Sequence, residues 1–255
     1  MLVCVRERDP EREGACVYVE RIFEWVVQAH PGALMPTSHQ RPNAVYSLMD
    51  SLRRLRVTIF NSGRLTTSQK NFLTGKTVEI SVKRTEIYWT RMALNGEVLR
   101  YRAALSKMQR FRYYPPELAR AVIKIGLDAE TIYYLASVAF DLSTHITQFI
   151  YRSSNLPYTS FTKQMNRLIQ NPSIDTQYSH FLQNMANNYS TFKDRRDDMT
   201  HYISAMSQYL QPNYPHGIFS NHPRTAIGAD VVVKDAVDLL DNFLQFYDTH
   251  FCNLV

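Results

Sequence analysis

The side chains best suited to chemistry in this 255-residue sequence stand together in Arg196-Asp197-Asp198-Met199-Thr200-His201. Arginine keeps its charge at any ordinary pH and can stabilise a developing anion, while histidine can carry a proton near neutrality. Asp197 directly follows Arg196, and Tyr202 directly follows His201. Arg196 also breaks the pattern around it. Tyr178, Leu182, Met185, Tyr189, Phe192, Arg196, Met199, Ile203, Met206 and Leu210 alternate by fours and threes, the seam of a helix packed in a bundle. A guanidinium on that seam must find an anion, reach water or sit at an interface. Spacing sets a problem, because residues five apart on a continuous helix point about 140° away from each other. Two arrangements solve it. Asp194 caps a fresh helix and breaks the seam, or Arg196 of one chain works beside His201 of another. The plainer alternative is that the aspartates complement a helix N-terminus, Arg196 pairs with one of them, and His201 is a surface residue.

Other candidates carry less. Asp141 and His145 lie one helical turn apart and share a face with Arg152, but two such residues fall short of the three protein ligands a metal site requires. His216 and His222 sit in a proline-bounded stretch that reads as a polar surface loop. Cys4, Cys16 and Cys252 show no CxxC pairing and no nearby histidine at ligand spacing. Phosphate-binding glycine loops and serine-nucleophile motifs are absent from the sequence. No metal and no cofactor is therefore expected.

Helices must position these groups. Pro116 opens a short helix that Gly126 closes, and Asp128 then caps a second, with Leu127 and Ile132 spaced as a hydrophobic staple. This second helix runs to about Arg152, with Ile132, Leu135, Ala139, Leu142, Ile146 and Phe149 on one stripe. Shorter helical signal surrounds Phe161, Met165 and Leu168, and a closing helix spans roughly 233–251 with Val237, Leu240, Leu244, Tyr247 and Phe251 inward. Upstream, residues 17–30 and 43–60 read as helices separated by a proline-rich loop. Residues 76–104 read differently: Val78, Ile80 and Val82 alternate with polar residues, and Asn95-Gly96 between apolar flanks is a hairpin signal. A small β-hairpin is predicted there. Residues 1–16 read as a disordered tail.

Charge divides the chain. Residues 1–124 hold 21 Lys and Arg against 11 Asp and Glu, while residues 125–255 hold 8 against 12. Within the basic part, Arg84, Arg91, Arg100, Arg102, Arg110 and Arg112 interleave with Tyr88, Trp89, Tyr101, Phe111, Tyr113 and Tyr114. Cations that hold phosphates beside rings that stack on unpaired bases suit single-stranded RNA. A basic outer face over an aromatic core is the competing reading. No apolar run is long enough to cross a bilayer and no secretory signal is seen, so a cytoplasmic protein without a membrane partner is expected.

Arg196-Asp197-x-x-x-His201 resembles the Arg-x4-6-His signature of HEPN domains, in which a polar residue often follows the arginine. The layout resembles that family too, with a long amphipathic helix, two more helices, a motif-bearing helix and a closing one over residues 116–255. The resemblance implies a mainly α, HEPN-like helical bundle over 116–255 behind a basic region at 17–115. It implies a homodimer in which two motifs face across a cleft and cut RNA without metal. His201 would move protons, Arg196 would stabilise the phosphorane, and Asp197 would orient them, with Tyr202 and Asp141 supporting. A toxin or defence effector restrained by an inhibitory protein partner fits that reading. A non-catalytic helical dimerisation or RNA-binding module on the same scaffold is the alternative.

Overall fold

The computed structural model describes residues 51–111, 116–206, 218–219 and 227–255. Six α-helices follow one another there: α1 (Arg53–Asn61), α2 (Thr67–Phe111), α3 (Pro116–Ile150), α4 (Phe161–Gln170), α5 (Thr176–Met206) and α6 (Ala229–Phe251). A 3-10 turn, Arg152–Ser154, follows α3, and Ile218–Phe219 (β1) pairs antiparallel with Ile227–Gly228 (β2). The expectations of a tail at 1–16, helices at 17–30 and over 43–50, a loop at 32–42 and a loop around His216 and His222 lie outside the described residues.

The predicted hairpin at 76–104 is helix instead. Leu73, Ile80, Ile87, Leu94 and Tyr101 recur every seven residues and all are buried. That period belongs to one continuous helical seam. It outweighs the local alternation of Val78, Ile80 and Val82, which covers barely one turn and a half. Asn95-Gly96 falls in mid-helix because the flanking residues pack on α3 rather than on each other. Glycine still weakens a helix interior, and nothing lies within 4 Å of a Cβ built on Gly96. Gly96→Ala is expected to raise stability by about 0.5–1 kcal/mol in denaturant titration. A loss of stability would contradict the helical assignment at 95–96.

At 1.5 Å per residue, the 45 residues of α2 extend about 67 Å and the 35 of α3 about 52 Å. The two helices lie against each other along most of that length, joined through residues 112–115. Pro116 opens α3 as expected, but Gly126 does not close a helix and Asp128 caps none. Leu118, Ala121, Ile125, Ala129, Ile132 and Ala136 form an unbroken buried seam across that point, so packing overrides the local stop signal. Asp128 is buried and paired with Lys124 one turn earlier. Leu127 is 49% exposed and staples nothing.

α5 and α6 run antiparallel over the other side of α3. Their seams are those expected: Tyr178, Leu182, Met185, Tyr189 and Phe192 on α5, and Val237, Leu240, Leu244, Tyr247 and Phe251 on α6, all buried. Phe140 of α3 is the centre of an aromatic cluster, with ring centroids 4.9 Å from Phe161, 5.2 Å from Tyr189, 5.7 Å from Phe192 and 5.1 Å from Phe243. The turn after α3 bends at Asn155, whose φ of 46° is left-handed backbone that asparagine tolerates.

Helix ends are satisfied across the tertiary structure. No side chain at Leu52 caps α1, but Asp248 of α6 accepts the Leu55 N–H at 2.8 Å. Burial pushes the Asp248 carboxyl above its ordinary value despite the Leu55 and Arg54 N–H groups it accepts. Asp175 caps α5 by accepting the Tyr178 N–H at 2.7 Å, and also receives the Tyr151 hydroxyl and His250 Nε2, the latter at 2.7 Å. Burial alone would raise its pKa. Hydrogen bonds from Tyr151, the Tyr178 backbone and His250 outweigh that and hold it below the usual carboxylate range. A depressed folded pKa stabilises the protein above the ordinary carboxylate value, and the contribution is lost as pH falls through the folded one. Asp175→Asn is therefore expected to flatten the acid side of a Tm-against-pH curve. Parallel curves for the two proteins would refute this role.

Candidate functional site

The backbone of α5 is helical without interruption from Thr176 to Met206. Asp194 thus starts no new helix, and the arrangement that would bring Arg196 beside His201 within one chain does not occur. The seam of five apolar residues from Tyr178 to Phe192 keeps the helix running through the acidic stretch. Arg196 and His201 leave the axis about 140° apart and about 7.5 Å apart along it. The side chains of His201 and Tyr202 lie outside the described residues.

Arg196 sits where α5 passes α3 and is half-buried, its side chain 31% exposed. Its Nε and Nη2 reach Asp197 Oδ1 at 2.9 and 2.5 Å, and its Nη1 lies 3.4 Å from Ser137 Oγ on α3. The seam position is tolerable because the carboxylate next in sequence draws the guanidinium to the bundle's edge, where water still reaches it. Beneath lies Tyr189, hydrogen-bonded to Thr162 at the start of α4. Burial raises its pKa, with Asp141, Arg196 and Asp197 all contributing to the field it feels.

Asp141 has a structural task at the same corner. Ser160 makes no side-chain cap for α4, and Asp141 Oδ1 accepts the Phe161 N–H at 2.8 Å in its place. Neighbouring Thr144 donates to the Tyr158 carbonyl at 2.6 Å, and Gln164 Nε2 donates to Pro157 O at 2.6 Å and Thr144 O at 3.0 Å. His145 packs its ring 5.5 Å from that of Tyr158. Burial and then Lys76 lower its pKa, against the pull of Glu79 and Asp141. Arg152 is exposed in the 3-10 turn.

A cleft lined by Arg195, next to the motif in sequence, was not legible in the sequence. Between α5 and α6 a hollow of about 330 Å³ is lined by Tyr133, Asn188, Phe192, Arg195, Asp235 and Asn242, among others. Arg195, beside Arg196 in sequence but a different way round the helix, pairs with Asp235 at 2.9 Å. Tyr133 stacks on Phe192 at 5.0 Å, and burial pushes its phenol up to about 12 even though Arg195 pulls the other way. Asn188, Thr191 and Arg195 do recur at helical spacing, which marks one wall, but nothing local points to Asp235.

The basic stretch does not form one surface. Arg84 is buried, and its Nε and Nη2 both hold Asp241 of α6, the latter at 2.6 Å. That placement makes it a helix-to-helix tie and contradicts a role in gripping phosphate. Arg91 is half-buried, and Arg100 is exposed and paired with Glu97 at 2.5 Å. Arg102 and Arg110 are exposed, and Arg112 lies outside the described residues. Arg100 and Arg102 project about 160° apart. Trp89 and Tyr101 are buried, so neither ring is open to stack on a base. Of these residues, Trp89 and Tyr101 belong to the core and Arg100, Arg102 and Arg110 to the surface.

Among the described residues, no group of three or more His, Cys, Asp or Glu is placed to hold a metal, and no helix is long and apolar enough to cross a membrane. Fold and site together define a mainly helical bundle with an arginine on the seam of the penultimate helix among the described residues. No family model, no curated protein and no solved structure matches the chain.

Proposed function

We propose that the protein is a metal-independent endoribonuclease of HEPN type, working as a homodimer with Arg196 and His201 as its catalytic pair. The observation that carries this reading is the placement of Arg196. Asp197 and Ser137 hold its guanidinium at the edge of the bundle, and His201 follows on the same uninterrupted helix. Because that helix points the two residues apart, the pair has to be assembled between chains. His201 of one chain removes the proton from a ribose 2′-hydroxyl, and the oxygen attacks the adjacent phosphorus. Arg196 of the other chain stabilises the charge that builds on the non-bridging oxygens. The bond to the 5′-oxygen breaks, that oxygen takes up a proton, and the product carries a 2′,3′-cyclic phosphate. Asp197 positions Arg196. Asp141 acts at one remove, through the α4 cap that supports Tyr189. A toxin or defence effector restrained by an inhibitory protein suits such an activity.

Incubating the purified protein with single-stranded RNA in excess EDTA tests this directly. Cleavage that leaves 2′,3′-cyclic ends supports the reading. Intact RNA, or cleavage abolished by the chelator, overturns it.

One observation favours a second reading. Arg196 already has a carboxylate partner in Asp197, which suits a structural arginine in a non-catalytic helical dimerisation module. The engagement of Arg84 inside the bundle counts against RNA binding along α2 as that module's task.

A further inference from the structure

The face of α3 turned away from its buried seam has an order of its own. Arg120, Ile123, Leu127, Tyr134, Val138 and Asp141 succeed one another at helical spacing, with Thr131 between. At 100° per residue they fall within an arc of about 80°. Ile123 is 59% exposed, Leu127 49% and Tyr134 64%, and Val138 is half-buried. Single exposed apolar side chains need no explanation, but a contiguous row on one helix face does. The row ends in opposite charges. Arg120 is exposed and has no ion-pair partner among the described residues. Asp141 is exposed, with Oδ1 accepting the Phe161 N–H.

The row is also symmetric. Arg120 and Asp141, Ile123 and Val138, and Leu127 and Tyr134 each lie equally far from a midpoint between residues 130 and 131. A two-fold interface requires self-complementarity of this kind, since a residue that meets another must be met by it in return. We propose that a second copy of this chain docks on this face, the two α3 helices packing antiparallel about a two-fold axis at Glu130–Thr131. Arg120 then meets Asp141 of the second copy at each end, about 31 Å apart, with Ile123 against Val138 and Leu127 against Tyr134 between them. Parallel packing would set Arg120 on Arg120 and Asp141 on Asp141, and like charges select against it. Glu130 flanks the axis and opposes association, a cost that the apolar contacts must exceed.

Antiparallel two-fold packing sets like edges of the two helices side by side. Ser137, which Arg196 reaches, borders the row, so both Arg196 sites come to the same side of the interface. The inference deepens the dimer of the ribonuclease reading without resting on its chemistry, because the same row would join two copies of a protein that cuts nothing.

Sedimentation equilibrium of the full-length chain, without RNA, tests it. Wild type is expected to show a concentration-dependent monomer–dimer equilibrium. Leu127→Lys, at an exposed position where the fold tolerates charge, is expected to weaken the dimer at least about tenfold. Arg120→Asp and Asp141→Arg each weaken it, and combining them restores it, since the charge pairs re-form with their signs reversed. Circular dichroism checks that Asp141→Arg, which also loses the α4 cap, keeps its helix content, and Tyr134→Lys serves as a second variant free of that complication. A wild type that stays monomeric at every concentration, a dimer indifferent to Leu127→Lys and Tyr134→Lys, or a double reversal that fails to restore association overturns the proposal. A dimer sensitive to these changes that cuts no RNA supports this interface and overturns the ribonuclease reading alone. A monomer that cuts RNA overturns this interface and the inter-chain pair together, whereas cleavage by a dimer indifferent to Leu127→Lys and Tyr134→Lys overturns this interface alone.

Discussion

His201→Ala is expected to lower the rate of RNA cleavage by about 10²–10⁴-fold, the usual contribution of a positioned proton-transfer group. Arg196→Ala is expected to lower it by about 10²–10³-fold, as removal of a single donor to a developing anion does. Both variants should keep wild-type helix content, because alanine is a good helix former and the Arg196 guanidinium lies at the bundle's edge rather than in its core. Arg196→Lys should rescue little, since an ammonium cannot hold Asp197 and a phosphate together as a planar fork does. The sharper measurement mixes the two inactive variants. If the working pair forms between chains, equal amounts of His201→Ala and Arg196→Ala should exchange subunits and recover activity through heterodimers carrying one intact pair. Subunits that demonstrably exchange without recovering activity would count against a pair shared across the interface. Full cleavage by either single variant would remove that residue from the chemistry.

Phe140→Ala is expected to cost roughly 3–5 kcal/mol, large enough to threaten a domain of ordinary stability. Phe140 is fully buried, and its ring touches aromatic residues from α4, α5 and α6 at once. Truncation would therefore leave a cavity bounded by four helices, and rings held by separate helices cannot all move in to fill it. Phe60 of α1, 67% exposed, supplies the contrast: Phe60→Ala should change stability by no more than about 0.5 kcal/mol. Urea titration of both variants gives the answer, read as a fall in midpoint at unchanged slope. Equal effects at the two sites would mean that the aromatic cluster does not support the bundle as described. Because Tyr189 and Phe192 lie between this ring and Arg196, the variant should also loosen the motif's setting before it unfolds.

Long regular spacings were the legible part of the fold. The α5 and α6 seams follow from apolar residues repeated over many turns. Short signals misled. Val78, Ile80 and Val82 alternate over too few residues to decide anything, and Gly126 reads as a stop only until the seam from Leu118 to Ala136 is seen to pass through it. The seven-residue recurrence from Leu73 to Tyr101 was present all along, but Thr77 and Arg84 occupy the places where a second apolar row would have announced a helix. Arg84 itself misled as a candidate RNA contact, because its partner Asp241 is 157 residues away in the chain.

By itself the sequence determined that the chain is mainly helical, which faces of its last helices are buried, and that Arg196 stands where an apolar residue belongs. Those properties depend on periodicity, and burial follows periodicity whenever a helix has a single apolar stripe. Only the tertiary structure decided that α2 and α3 each run unbroken, that Asp248 and Asp141 close helix ends, that Arg84 is tied to Asp241, and that Arg196 reaches Ser137. Each of these depends on which groups are brought within hydrogen-bonding distance by helices far apart in the chain. Local spacing carries no record of that distance, and the balance between a weak local signal and a long packed seam is settled only when the partner surface is in place.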